Sequence, residues 1–154
     1  MTRAPAQKKC YRVRNSNIHG RGVFAAGKIA KGTTIIEYRG ERTTWEIVCE
    51  RPASDPDDPA HTFIFELSDG RVIDAGVRGS VARWINHSCA PNCKSFEDDD
   101  GRVFIEARRA IAPGEELTYD YRLSLDGRIT RRIREEYACR CGAKRCRGSL
   151  LLET

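Results

Sequence analysis

The stretch CRCGAKRCRGSLLLET, residues 139–154, constrains the fold more than any other part of the chain. It spaces three cysteines as C-x-C-x4-C (Cys139, Cys141, Cys146) and holds too few apolar residues to pack a core of its own, so something outside it must order it. Three thiolates on a tight loop suit tetrahedral Zn²⁺, which in structural sites takes four Cys or His ligands. The fourth must come from elsewhere, and Cys89 and Cys93 in RWINHSCAPNC are the natural donors. Such a centre would staple the tail onto a distant segment. The competing reading is a set of idle or reactive thiols.

The cysteine total of seven is odd, which argues against a disulfide framework. The N-terminal MTRAPAQKKC is basic without an apolar run behind it, so it does not read as a secretory signal, and an intracellular, reducing setting is expected. With 154 residues, 40% apolar and 32% charged, the chain suits one folding unit with appendages. No apolar run approaches the roughly 20 residues of a membrane helix. The net charge of +5 is interrupted by acidic runs at Asp55–Asp58 and Glu97–Asp100, and no basic stripe with interleaved aromatics suggests direct nucleic-acid binding.

Short strands are expected at CYRVRN, TTIIEYRG, TFIFEL, RVIDA and RVFIEARR, the third and fourth joined through Asp69-Gly70. Phe63, Phe65 and Leu67 share one strand face, and so do Val103, Ile105 and Ala107. A short helix over 43–51 would be capped by Thr43 or Thr44. PASDPDDP reads as a loop, and Ile129, Ile133 and Tyr137 suit one or two helical turns. The fold class is therefore mostly β with few short helices. Of the chemical signals, the Gly-x-Gly of IHGRGVF lacks the strand-to-helix setting of a phosphate loop. Tyr119 and Tyr121 lie two apart on one strand face, as core aromatics or as pocket hydroxyls.

In this order, IHGRGVF, IIEYRGE, FIFEL, VIDA, RWINHSCAPNC, GEELTYDY and CRCGAKRCRG resemble the SET-domain protein lysine methyltransferases, over nearly all of residues 10 to 149. The closest flavour is the trithorax type with a post-SET zinc loop. The resemblance implies a β-clip fold of small twisted sheets, a pseudoknot threaded from RWINHSC and ELTYDY, and a C-terminal zinc loop closed by Cys89 with Cys139, Cys141 and Cys146. It divides the chain into a basic tail (1–9), a catalytic domain (10–122, with a variable insert at 45–61), a connector helix (123–137) and the zinc-binding tail (138–154). S-adenosylmethionine would be held by His19, Gly20, Arg21, Gly22, Phe63, Arg83, Asn86 and His87. Phe63 stands where many relatives carry a tyrosine, so the ring is kept and its hydroxyl is lost. Tyr38 and Tyr121 match the family's active-site tyrosines, and Tyr119 the position that controls how many methyl groups are added. Ser149 stands where an aromatic lid is common, followed by Leu150–Leu152.

The implied activity is mono- or dimethylation of a lysine in an extended protein or peptide segment, such as a histone-like basic tail, which the acidic runs could attract if they are more than solvated loops. The rival is a non-catalytic SET scaffold that binds a peptide or partner. No membrane association is expected, and the sequence does not give an oligomeric state.

Overall fold

The computed structural model describes residues 9–52, 63–123 and 127–151. The acidic run Asp55–Asp58, most of PASDPDDP, and Leu152 lie outside them. The described chain contains ten short strands and two short α-helices, as the mostly β reading expected. Strands β1 (Tyr11–Asn15) and β2 (Arg21–Ala25) form an antiparallel hairpin. Strands β3 (Thr34–Tyr38), β8 (Cys93–Glu97) and β9 (Val103–Ala107) form a second sheet in the order β3-β9-β8. A third joins β4 (Glu41–Thr43), β6 (Val72–Asp74) and β5 (Ile64–Glu66), with β6 central.

Strand β9 holds the centre because its apolar residues alternate: Val103, Ile105 and Ala107 are buried, and they pack in one cluster with Val23, Ile29, Ile85, Ile111 and Leu117. On the other face Phe96 stacks on Phe104 at 5.5 Å, with the Arg102 guanidinium above it. The Asp69-Gly70 turn joins β5 to β6, and Gly70 has φ +88°, a value that glycine adopts without steric cost.

The pairing that builds the site is the smallest. Strand β7 (Asn86–His87) runs parallel to β10 (Thr118–Tyr119), Asn86 opposite Thr118 and His87 opposite Tyr119. The two stretches expected to form the pseudoknot are thus side by side. A 3-10 turn (Val81–Trp84) delivers the chain into β7, and Ile85 is buried between them.

Helix α1 (Trp45–Cys49) begins at Thr44, whose hydroxyl accepts from the Ile47 N–H at 3.4 Å. Helix α2 covers only Arg131–Glu136, less than the 123–137 expected of the connector. Gly127 at φ +88° interrupts the segment before it, and α2 buries no side chain to extend its packing. Thr130 caps it, accepting from the Ile133 N–H at 3.2 Å. After α2 the chain doubles back: Ala138 bridges Ser149, and Leu151, fully buried, bridges Leu123. No helix among the described residues is long and apolar enough to cross a membrane.

Candidate active site and metal centre

The turn before β2 is held from below. The buried Asn86 amide donates to the carbonyls of His19 (3.0 Å) and Arg21 (2.9 Å) and to the Glu116 carboxylate (2.9 Å). All three neighbours are acceptors, so the orientation of the amide is fixed. Glu116 also accepts from the Ser16 hydroxyl at 2.7 Å, and its carboxylate fills the space where a Cβ on Gly22 would lie, 2.4 Å from Oε2. Gly22 is small because Glu116 needs that space.

His87 is buried and points both ways. Its Nδ1 accepts from the Tyr121 N–H at 3.0 Å, which puts the ring hydrogen on Nε2, 3.4 Å from Cys89 Sγ. Burial lowers its pKa to about 4, against the pull of the Asp120 carboxylate 3.6 Å away. It is a neutral imidazole bridging the tyrosine strand and a cysteine.

Above this floor opens a cavity of about 710 Å³, within the size range of ligand sites. Its wall takes His19, Tyr38, Arg83, Asn86, His87, Tyr119 and Tyr121 from the SET-like core and Cys139 and Leu150 from the tail. Gly20, Arg21, Gly22 and Phe63 do not reach this wall. Gly20 makes the turn at φ +44°, while Arg21 and Phe63 pack around Trp84, at 5.6 Å and 5.2 Å. Trp84 is only half-buried, shared between the core and these neighbours. Arg83 lies over it at 4.9 Å and donates from Nη1 to the Ala75 carbonyl at 3.3 Å. Its Nε is buried without a partner among the described residues, a donor left open beside the cavity.

The three tyrosines meet inside. Tyr119 and Tyr121 have ring centroids 4.9 Å apart, and Tyr38 packs on Phe65 at 5.3 Å. The Tyr121 hydroxyl donates to the Ile85 carbonyl. Burial raises all three phenols above their ordinary pKa, so each stays protonated at neutral pH.

The four thiols of Cys89, Cys139, Cys141 and Cys146 lie within 4.8 Å of one another, Cys89 Sγ being 3.7 Å from Cys139 and 3.8 Å from Cys146. Sulfurs about 2.3 Å from a common tetrahedral centre have edges of about 3.8 Å, so the set fits Zn²⁺. Backbone N–H groups point at three of them: Cys89 N at Cys141 (3.5 Å), Arg147 N at Cys89 (3.5 Å) and Gly148 N at Cys146 (3.4 Å). Donors of this kind stabilise thiolates. Although burial raises it, the Cys141 thiol is brought down to about 6 by such N–H groups and its neighbours. Cys93, the other candidate donor, is buried in β8 opposite Ala107, where burial pushes its thiol up to about 12.

Two polar residues outside the expected set join these parts. Asp120, between the tyrosines, takes a bidentate pair from Arg147, both contacts at 2.9 Å. Glu116 supports the turn. A charge set between two buried aromatics was the available signal for Asp120, whereas nothing in the linear pattern separates Glu116 from Glu115. Leu150 lines the cavity and Leu151 faces away into packing, so the tail offers an aliphatic wall where an aromatic lid is common.

The SET domain family model matches residues 20–122. Among similar proteins, histone-lysine N-methyltransferase trithorax of Drosophila virilis is 39% identical over 135 residues, covering 86% of this chain and 3% of that protein. ATX2 of Arabidopsis thaliana, also named a histone-lysine N-methyltransferase, is 42% identical over 151 residues, covering 92% and 13%. The Neurospora crassa histone-lysine N-methyltransferase named as H3 lysine-4 specific is 38% identical over 148 residues, covering 94% and 11%. The chain spans only a small part of the length of these relatives. With the sheets, the β7/β10 pairing and the cysteine centre as described, the chain belongs to the SET-domain family.

Proposed function

We propose that the chain is an S-adenosylmethionine-dependent protein-lysine N-methyltransferase unit with a structural zinc in its tail, adding one methyl group, or two, to a lysine in an extended, histone-like segment. The observation that carries this is the convergence of Tyr38, Tyr119, Tyr121, Asn86 and His87 on one cavity. The relatives named for histone-lysine methylation support it.

The reaction asks for alignment and an unprotonated amine. At pH 7, removing the proton from a lysine of reference pKa near 10.4 costs roughly 4.6 kcal/mol. Burial in a narrow apolar channel disfavours the ammonium and reduces that cost, so no dedicated base is needed. Protonated phenols at Tyr38 and Tyr121 orient the amine as hydrogen-bond partners. When bound, S-adenosylmethionine supplies an electrophilic methyl group. His19, Arg83, Asn86 and His87 would hold it, and the Arg83 Nε, buried without a partner among the described residues, suits a carboxylate. Gly20, Arg21, Gly22 and Phe63 would act behind them, by shaping the turn and packing Trp84. The Tyr119 hydroxyl would hold a water in the space a methylated amine needs.

The tail thiolates would hold zinc, closing residues 138–151 over one side of the cavity. The test is transfer of a labelled methyl group to a peptide array with the product read by mass spectrometry. Mono- and dimethyl-lysine are expected, and abundant trimethyl-lysine would overturn the stated degree. No saturable S-adenosylmethionine binding by calorimetry would favour the non-catalytic scaffold instead.

A further inference from the structure

Arg147 follows the last cysteine and makes three kinds of contact at once. Its backbone N–H donates to Cys89 Sγ at 3.5 Å, its Nε to the Ser149 carbonyl at 3.1 Å, and its two Nη groups to the two Asp120 oxygens at 2.9 Å each. The planar fork matches a carboxylate in a way that a lysine ammonium cannot. Asp120 lies between Tyr119 and Tyr121, and its Oδ1 also accepts from the Arg122 N–H at 3.0 Å. That bond holds Arg122 at φ +52°, a left-handed conformation that a non-glycine residue adopts only when something fixes it. One carboxylate therefore sets the path of the chain on both sides of Tyr121.

On the tail side, Cys139 N donates to the Gly148 carbonyl and Leu150 N to the Tyr137 carbonyl, so the segment that carries Arg147 also carries Cys139 and Leu150 into the cavity wall. We propose that Arg147 is a positioning residue, clasping the cysteine-centred tail to the Tyr119–Tyr121 stretch through Asp120 and so fixing the cavity wall relative to the tyrosines. The proposal rests on the methyltransferase reading for its kinetic consequence alone. Its structural consequence stands without it. The pair is a quarter to a third exposed, so its contribution is to placement more than to global stability.

The test uses the full zinc-loaded chain with Arg147→Ala, Arg147→Lys, Asp120→Asn and the double variant Arg147→Ala/Asp120→Asn. Asp120→Asn keeps an oxygen for the Arg122 N–H, so it isolates the ion pair. Zinc per chain should stay at the wild-type value in all four, because no ligand is touched. Amide hydrogen exchange across residues 138–151 should quicken about tenfold in Arg147→Ala and in Asp120→Asn. The kcat should fall about tenfold with peptide KM moved less, the double variant matching either single one, since a shared contact is lost only once. Arg147→Lys should recover part of the loss.

Wild-type exchange rates in the tail of Asp120→Asn and Arg147→Lys would overturn the clasp, as would effects that multiply in the double variant. Should Arg147→Ala not fold, those two size-conserving changes decide it. If the wild-type chain itself transfers no methyl group, the enzymatic reading fails, while the exchange comparison still decides the clasp.

Discussion

Tyr38, Tyr119 and Tyr121 share one physical situation, phenols whose protonated form burial favours, with Tyr38 raised further by its neighbouring tyrosines and Asp74. A group whose folded pKa lies above its unfolded value gives stability that is complete below the unfolded pKa, near 10 for tyrosine, and that is lost as pH rises toward the folded value. With all three phenols raised, stability falls as pH climbs past about 10. Urea unfolding at pH 9, 10 and 11 should show that fall, and a Phe at any one position should lessen it. A flat profile would mean that the rings ionise in place. Tyr119→Phe should move products toward di- and trimethyl-lysine by mass spectrometry, since it removes the hydroxyl that would anchor a water. Tyr121→Phe should instead lose rate and about 1–3 kcal/mol of stability, because the Ile85 carbonyl loses its donor. Residues of distinctive chemistry were legible in the sequence: tyrosines, an Asn-His pair, thiols. Asp120 showed only as a charge between two aromatics, and Glu116 and Arg147 not at all, because they act through geometry between segments far apart in the chain and leave no periodic trace.

Strand β9 shows how an element becomes readable, since five alternating residues state both conformation and face. Strands β7 and β10 are two residues each and carry no period, so only the motif resemblance pointed to their pairing. The close approach at the end of β6 was equally hidden. A Cβ on Gly40 would lie 2.4 Å from the Asp74 carbonyl oxygen, and one on Gly79 only 1.8 Å from that of Ala75. Both obstacles are backbone, which cannot swing aside as a side chain can. Gly79→Ala should therefore destabilise by about 1–3 kcal/mol or more, and it should loosen the 3-10 turn that presents Arg83 and Trp84. Gly27→Ala is the control, with nothing among the described residues within 4 Å of its Cβ, and should be neutral or gain about 0.4–1 kcal/mol. Denaturant midpoints for the two variants check this. A Gly79→Ala midpoint equal to that of the control would mean that the β6 end yields more easily than backbone packing suggests.

Across the whole molecule, RWINHSCAPNC joins the floor of the cavity to the cysteine centre. Asn86 ties down the turn before β2, His87 connects the Tyr121 backbone to Cys89 Sγ, and Cys89 belongs to the four-thiol cluster. The tail in turn supplies Cys139 and Leu150 to the cavity wall. Without a metal the tail has Leu151 and a few polar contacts to offset the entropy of ordering it, so it should detach and leave that wall open. Chelator-treated chain should then bind S-adenosylmethionine about 5- to 150-fold more weakly than the zinc-reconstituted chain, the range typical of coupled sites. Calorimetry on the two forms measures it, and circular dichroism distinguishes a released tail from general unfolding. Because coupling between two binding equilibria is reciprocal, S-adenosylmethionine must raise zinc affinity by the same factor in a competition with a chromogenic chelator. Agreement of the two factors would show that cofactor and metal share one ordered wall. Equal S-adenosylmethionine affinity in both forms would reduce the cysteine centre to a staple and His87 to a packed strand residue.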